Sequence, residues 1–260
     1  MRTRTTIGTC SGLSCAGLIL LLAPLTAVAQ GRGGVPPAPR TPKQQAPIDL
    51  TGYWVSIVTE DWRYRMVTPP KGDFASVPLN PAGRRVVDAW DPAKDEASGD
   101  ACKSYGAAGL MRVPGRLHIT WDGETTLKVE TDAGTQTRML KFGAPEAAGP
   151  PTLQGNSVAT WEGLPPAGRG GAPPAPRGSL KVVTTDLKPG YLRKNGVPYS
   201  EKTVVTENYD VVTEPDGVQW LILQTIVEDP TYLTQPFITS THFRKQADNK
   251  GWSPTPCSAQ

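Results

Sequence analysis

Thr203-Val-Val-Thr-Glu-Asn-Tyr-Asp-Val-Val212 and Val218-Gln-Trp-Leu-Ile-Leu-Gln-Thr-Ile-Val-Glu228 read as two long strands, joined past Thr213 by the tight turn Glu214-Pro-Asp-Gly217. The first strand alternates apolar and polar side chains, the period of a sheet with one buried face. Proline second and glycine fourth in the loop suit a type I turn. A four-residue loop pairs Thr213 with Val218. Pairing then runs Val211 with Trp220, Tyr209 with Ile222 and Val205 with Ile226. Apolar meets apolar at each step, which is what fixes a register. The step left over is Glu207 opposite Gln224, both on the apolar face. A carboxylate there is costly unless it is paired or hydrogen-bonded. Glu207 and Gln224, with Tyr209 and Trp220 beside them, are therefore candidates to line a ligand site. A polar pair inside a solid core is the alternative.

The same period of two recurs on both sides of this hairpin. Tyr53–Val58, Trp62–Val67, Leu117–Trp121, Thr126–Asp132, Thr135–Phe142, Ser157–Trp161, Ser179–Asp186 and Pro236–Arg244 read as further strands. Asp122-Gly123, Ala133-Gly134 and Asn195-Gly196 are turn signals between them. One hairpin registers cleanly, with Trp121 on Leu127, Ile119 on Val129 and Leu117 on Thr131. One helix is expected: Asn80 caps it, Pro81 opens it, and it runs to Trp90 before Asp91-Pro92. Such a chain predicts a mainly β domain over residues 49–257, an antiparallel barrel or strongly curved sheet with one short helix.

The flanks of this domain have other compositions. Arg2 and Arg4, an apolar run densest at Leu18–Leu22, and Ala27-Val28-Ala29 form the pattern of a secretory signal peptide over residues 1–29. Residues 30–48 are rich in Gly and Pro and read as a disordered leader. A flexible insertion of the same kind occupies 164–178. Its Gly168–Arg177 nearly repeats Gly31–Arg40, as shared low complexity. No later run is long and apolar enough for a membrane span. Residues 1–29 hold two arginines and no acid, so their removal takes the formal charge from +3 to +1. That balance gives no electrostatic case for nucleic acid or an anionic membrane as partner. Cys10 and Cys15 leave with the signal peptide. The two cysteines that remain, Cys102 and Cys257, read as a disulfide in an exported chain, periplasmic or secreted.

Motifs of established chemistry are sparse. His118 and His242 lie on separate strands, too few ligands for a transition-metal site. Gly155-Asn-Ser-Val-Ala159 lacks the last glycine of a nucleophile elbow. No phosphate loop or dinucleotide fingerprint occurs, so no cofactor is expected. Arg63 and Arg65 share one side of the strand read at Trp62–Val67. They are either solvated or form a mouth that recognises a carboxylate, for which the guanidinium fork is well shaped.

Asp49-Leu-Thr-Gly-Tyr-Trp54, Cys102, Gly155-x-Ser157, Trp161-Glu-Gly163, Leu180-Lys-Val-Val-Thr184, Glu207-x-Tyr209, Asp229-Pro230, Pro236-Phe237 and Cys257 follow one another in an order that resembles a widespread group of exported bacterial proteins of uncharacterised function. The resemblance spans most of the chain beyond residue 48. It implies export, β architecture and pairing of the two outer cysteines, and no activity. This chain departs from the group at the 164–178 insertion and at Glu207-Asn-Tyr-Asp210, where the group often has an arginine-rich sequence. Gly52-Tyr-Trp54 is also similar to the Gly-x-Trp opening of lipocalins, which implies a lipocalin- or calycin-like barrel with an internal apolar cavity.

These readings lead to an exported barrel that binds a small, largely apolar molecule. Two alternatives stand beside it. One is an enzyme acting on such a molecule by acid–base chemistry with Glu207 as base, and the other is a structural or docking protein that uses its Pro/Gly segments.

Overall fold

In the computed structural model, which describes residues 38–144, 149–163 and 178–259, every period-two segment but Trp62–Val67 becomes a strand, and two short strands not read from the sequence flank Asn195-Gly196. The strands are β1 (Gly52–Ile57), β2 (Arg116–Asp122), β3 (Thr126–Thr131), β4 (Thr137–Phe142), β5 (Asn156–Gly163) and β6 (Gly178–Thr185). After them come β7 (Gly190–Arg193), β8 (Val197–Tyr199), β9 (Val204–Thr213), β10 (Gln219–Glu228) and β11 (Phe237–Gln246). Nine of them close into a barrel in the order β1-β11-β10-β9-β6-β5-β4-β3-β2, while β7 and β8 form a separate ribbon. Neighbours in the barrel are antiparallel except β4 and β5, which run parallel. The signal-peptide segment, the leader up to residue 37 and residues 164–177 of the insertion lie outside the described residues.

The β2–β3 hairpin has the expected register, Leu117 on Thr131, Ile119 on Val129 and Trp121 on Leu127. The β9–β10 hairpin is shifted by one residue. Glu214 N donates to Val218 O at 2.8 Å, and Gly217 takes a left-handed φ of 87°. Val218 is thereby absorbed into the loop, and Thr213 pairs with Gln219. A slip of one residue sends every side chain of the strand to the opposite face. Leu221, Leu223, Thr225 and Val227 point inward, while Gln224 is exposed and Trp220 only half-buried on the outer face. The reading of Gln224 and Trp220 as partners of Glu207 and Val211 is corrected accordingly. β10 is apolar on both faces, so hydrophobic matching accepts either register.

Trp62–Val67 is not a strand. Asp61 adopts a φ of 49°, and its carbonyl accepts from Tyr64 N (2.8 Å) and Arg65 N (3.1 Å). The segment winds into a short helix, α1 (Trp62–Arg65). Further along, α2 (Pro81–Ala89) starts as expected, with Asn80 Oδ1 accepting from Gly83 N at 2.9 Å. Two short helices unanticipated from sequence follow, α3 (Pro92–Ala97) and α4 (Ala107–Leu110), with a 3₁₀ turn at Ala101–Tyr105 between them.

Inside the barrel Trp54, Leu117, Ile119, Leu127, Leu140, Leu180, Tyr209, Leu221, Leu223 and Phe243 form one cluster. Residues 41–48 turn across the rim at Trp121 and Trp161: Trp161 Nε1 donates to Pro42 O at 2.8 Å, and Ile48 packs on the cluster. Cys102 and Cys257 form the disulfide, tying the 3₁₀ turn to the chain's last residues. No helix among the described residues is long and apolar enough to cross a membrane.

Candidate functional site

Two places in the fold concentrate buried charge. The first is inside the barrel. Glu207 points inward from β9, as its alternation requires, and is fully buried. Its partner is Arg138 of β4. Arg138 Nη1 donates to Oε1 at 2.9 Å and Nη2 to Oε2 at 2.6 Å, so both carboxylate oxygens are held by one guanidinium fork. Arg138 Nη2 also donates to Thr184 Oγ1 at 3.2 Å, and Thr184 shares a 2.8 Å hydrogen bond with Ser157. Burial, the largest influence, would by itself lower the Arg138 pKa; the Glu207 charge and hydrogen bonds, with Tyr209, together overcome it and lift the guanidinium above its ordinary range. The Tyr209 hydroxyl is pushed upward, first by burial and then by the Glu207 charge. Glu207 and Tyr209 thus share the inward face read from the sequence, but they sit in a packed layer with Arg138 rather than lining a ligand site with Gln224 and Trp220.

The second place lies outside the barrel, where α1, α4 and the β7–β8 ribbon meet. Gly109 of α4 allows the close contact: a Cβ there would lie 2.7 Å from Tyr191 O. The junction leaves a pocket of about 30 Å³, lined by Tyr64, Arg65, Val67, Arg112, Val113, Pro114, Leu192, Arg193 and neighbours. At roughly 10–15 Å³ per water, this has room for a couple of waters or one small anionic group.

Three arginines converge here and all are buried. Arg65 pairs with Glu60 and donates through Nε to Arg112 O at 2.9 Å. Arg112 Nη2 donates to Asp61 Oδ2 at 3.0 Å. Arg193 is only 4 % exposed, yet none of its three guanidinium nitrogens has a hydrogen-bond partner. Its guanidinium lies over the Tyr64 ring, 4.1 Å from the centroid. Burial, reinforced by repulsion from Arg112, pushes its pKa down to about 10, which still leaves it cationic at neutral pH. Arg65 Nη2 and Arg112 Nη1 also lack partners. Glu60 and Asp61 thus bond two of the three guanidinium groups, while Arg193 feels Asp61 and Asp73 without a hydrogen bond to either. Buried polar atoms are ordinarily paired, and a buried charge without a partner costs far more than a neutral group. The arrangement leaves buried cationic donors short of acceptors beside a small pocket, and a guanidinium fork is well shaped for a carboxylate or phosphate.

Of the sequence-predicted residues, Arg65 is in this pocket. Arg63 is outside it, paired with Asp73 at 3.0 Å. Glu207 and Tyr209 are in the barrel, while Trp220 and Gln224 are on its outer face. Sequence reading missed Arg112, Arg138 and Arg193. Arg138 had a signal: it shares the β4 face of Leu140 and Phe142 and is the one charge among them. Arg193 also had one, since it stands just before the Asn195-Gly196 turn that makes β7 and β8 a ribbon. Arg112 had none. Among the described residues no group of three or more His, Cys, Asp or Glu is placed to hold a metal ion. The chain matches no protein-family model, no curated protein and no solved structure.

Proposed function

We propose that this is an exported small-molecule-binding β-barrel protein whose ligand presents an anionic group to Arg193, Arg112 and Arg65. The pocket has room for that group alone, so the largely apolar remainder of the ligand lies outside it, at the border formed by exposed Val67. The single observation that carries the reading is Arg193, a buried guanidinium with every nitrogen unpartnered. A bound carboxylate or phosphate supplies the missing acceptors and the missing charge together. Export to the periplasm or beyond is supported by the signal-type start of the sequence and by the Cys102–Cys257 disulfide.

Isothermal titration of the mature protein with benzoate, hexanoate and inorganic phosphate, against benzamide and hexanol as neutral counterparts, tests this. The account predicts binding of at least one anion, rejection of its neutral counterpart, and loss of binding in Arg193→Met, which keeps the bulk and removes the charge. Equal binding of acids and neutral analogues, or full retention in Arg193→Met, overturns it.

A further inference from the structure

Among the described residues five large apolar side chains are exposed, and three of them fall within six consecutive residues: Trp62 at 66 %, Met66 at 59 % and Val67 at 67 %. Trp62 and Met66 stand one helical turn apart, with Met66 N donating to Trp62 O at 2.9 Å, so they share a face of α1. Val67 is also part of the lining of the arginine pocket. One short turn therefore projects apolar side chains outward and borders an anion site at its base.

The charges around it suit an interface rather than bulk water. The acids of this region are each matched by an arginine: Glu60 by Arg65, Asp61 by Arg112 and Asp73 by Arg63. Pairing lowers the cost of bringing them near apolar material. Arg193 is left without a hydrogen-bond partner of its own, resting over the Tyr64 ring.

We propose that α1 is a membrane-contact element: Trp62, Met66 and Val67 enter the headgroup region of a phospholipid bilayer while a lipid phosphate seats on Arg193 and Arg112. This rests on the anion reading of the pocket. Tryptophan prefers the boundary between headgroups and acyl chains, and apolar side chains add affinity in proportion to the area they bury there. The near-neutral net charge of the mature chain does not oppose it, because the recognition is local. Every phospholipid carries the phosphate, so a strongly anionic membrane is not required.

The test is co-sedimentation of the mature protein with phosphatidylcholine vesicles, with and without a quarter of phosphatidylglycerol, read together with tryptophan fluorescence. Calorimetry with inorganic phosphate and benzoate serves as the soluble arm. The expected result is vesicle binding with a blue shift, reduced at least tenfold in the Trp62→Ser/Met66→Ser double variant. That variant, altered only at exposed side chains, still binds the soluble anion. Anion binding without vesicle binding in the parent protein overturns the membrane role and leaves the small-molecule reading standing. Failure to bind either vesicles or anions overturns both. Vesicle binding unchanged in the double variant removes α1 from the contact. A dimer that the double variant dissolves assigns the patch to a second copy of the chain and likewise overturns the proposal.

Discussion

Replacing Glu207 by alanine removes the carboxylate that holds Arg138. Both side chains are fully buried, and the fork between them uses two contacts, 2.9 and 2.6 Å. After the change Arg138 keeps one short-range partner, Thr184 at 3.2 Å, and its charge cannot reach water. Removing one member of a buried ion pair costs about 3–5 kcal/mol, because the other is left uncompensated. Arg138→Met should cost a similar amount by stranding the Glu207 carboxylate. The informative variant is the double one, Arg138→Met with Glu207→Leu. It removes both charges and fills the space, so it should lie within about 2 kcal/mol of the parent protein and reveal a coupling of several kcal/mol. Urea unfolding at neutral pH, followed by tryptophan fluorescence, measures all four proteins, and an unchanged m-value certifies the comparison. Single variants that each lose less than about 1 kcal/mol, or a double variant that loses the sum of the two, would show that the pair is not the buried contact described.

Three further outcomes follow from the packing around the pocket. The disulfide closes a separation of 155 residues, so chain-entropy arithmetic bounds its contribution at about 5 kcal/mol; Cys102→Ser and Cys257→Ser should each lower the urea midpoint markedly, and retained midpoints would refute this. Tyr191 has its hydroxyl pushed up to about 12, first by burial and then by its hydrogen bond to Asp95. The unfolded chain ionises near 10, so stability present below that pH should decline as pH rises from about 10 to 12. Tyr191→Phe should flatten the decline, and an identical profile in the variant would count against the assignment. Gly109→Ala sets a Cβ 2.7 Å from Tyr191 O and 3.1 Å from Ser104 O. It should cost about 1–3 kcal/mol by overpacking and weaken anion binding with it, whereas a neutral effect on both would show that α4 and the ribbon are free to separate.

Much of the barrel was legible because alternation over long strands needs few assumptions. The β2–β3 register could be derived because each of those strands has one apolar face and one polar face. β10 defeated the same reasoning. Leu221 and Leu223 on one face and Trp220, Ile222 and Ile226 on the other are equally apolar, so a single additional loop residue at Val218 decided the outcome. Trp62, Tyr64 and Met66 mimic a strand by spacing alone, and the left-handed Asp61 that turns them into a helix leaves no periodic trace. Glu207 was identifiable as an inward charge, but its partner Arg138 lies 69 residues away in the chain, and no local pattern links them. The arginine pocket is less legible still. It draws on α1, the segment after α4 and the β7–β8 ribbon, and only the closed fold brings these together.

Native mass spectrometry of the protein purified from its own host tests the central claim most directly. The account predicts a small acidic molecule retained by the parent protein in gentle ionisation and absent from Arg193→Met prepared in parallel. A neutral molecule bound equally by both, or an acid whose retention survives the loss of Arg193, would contradict it.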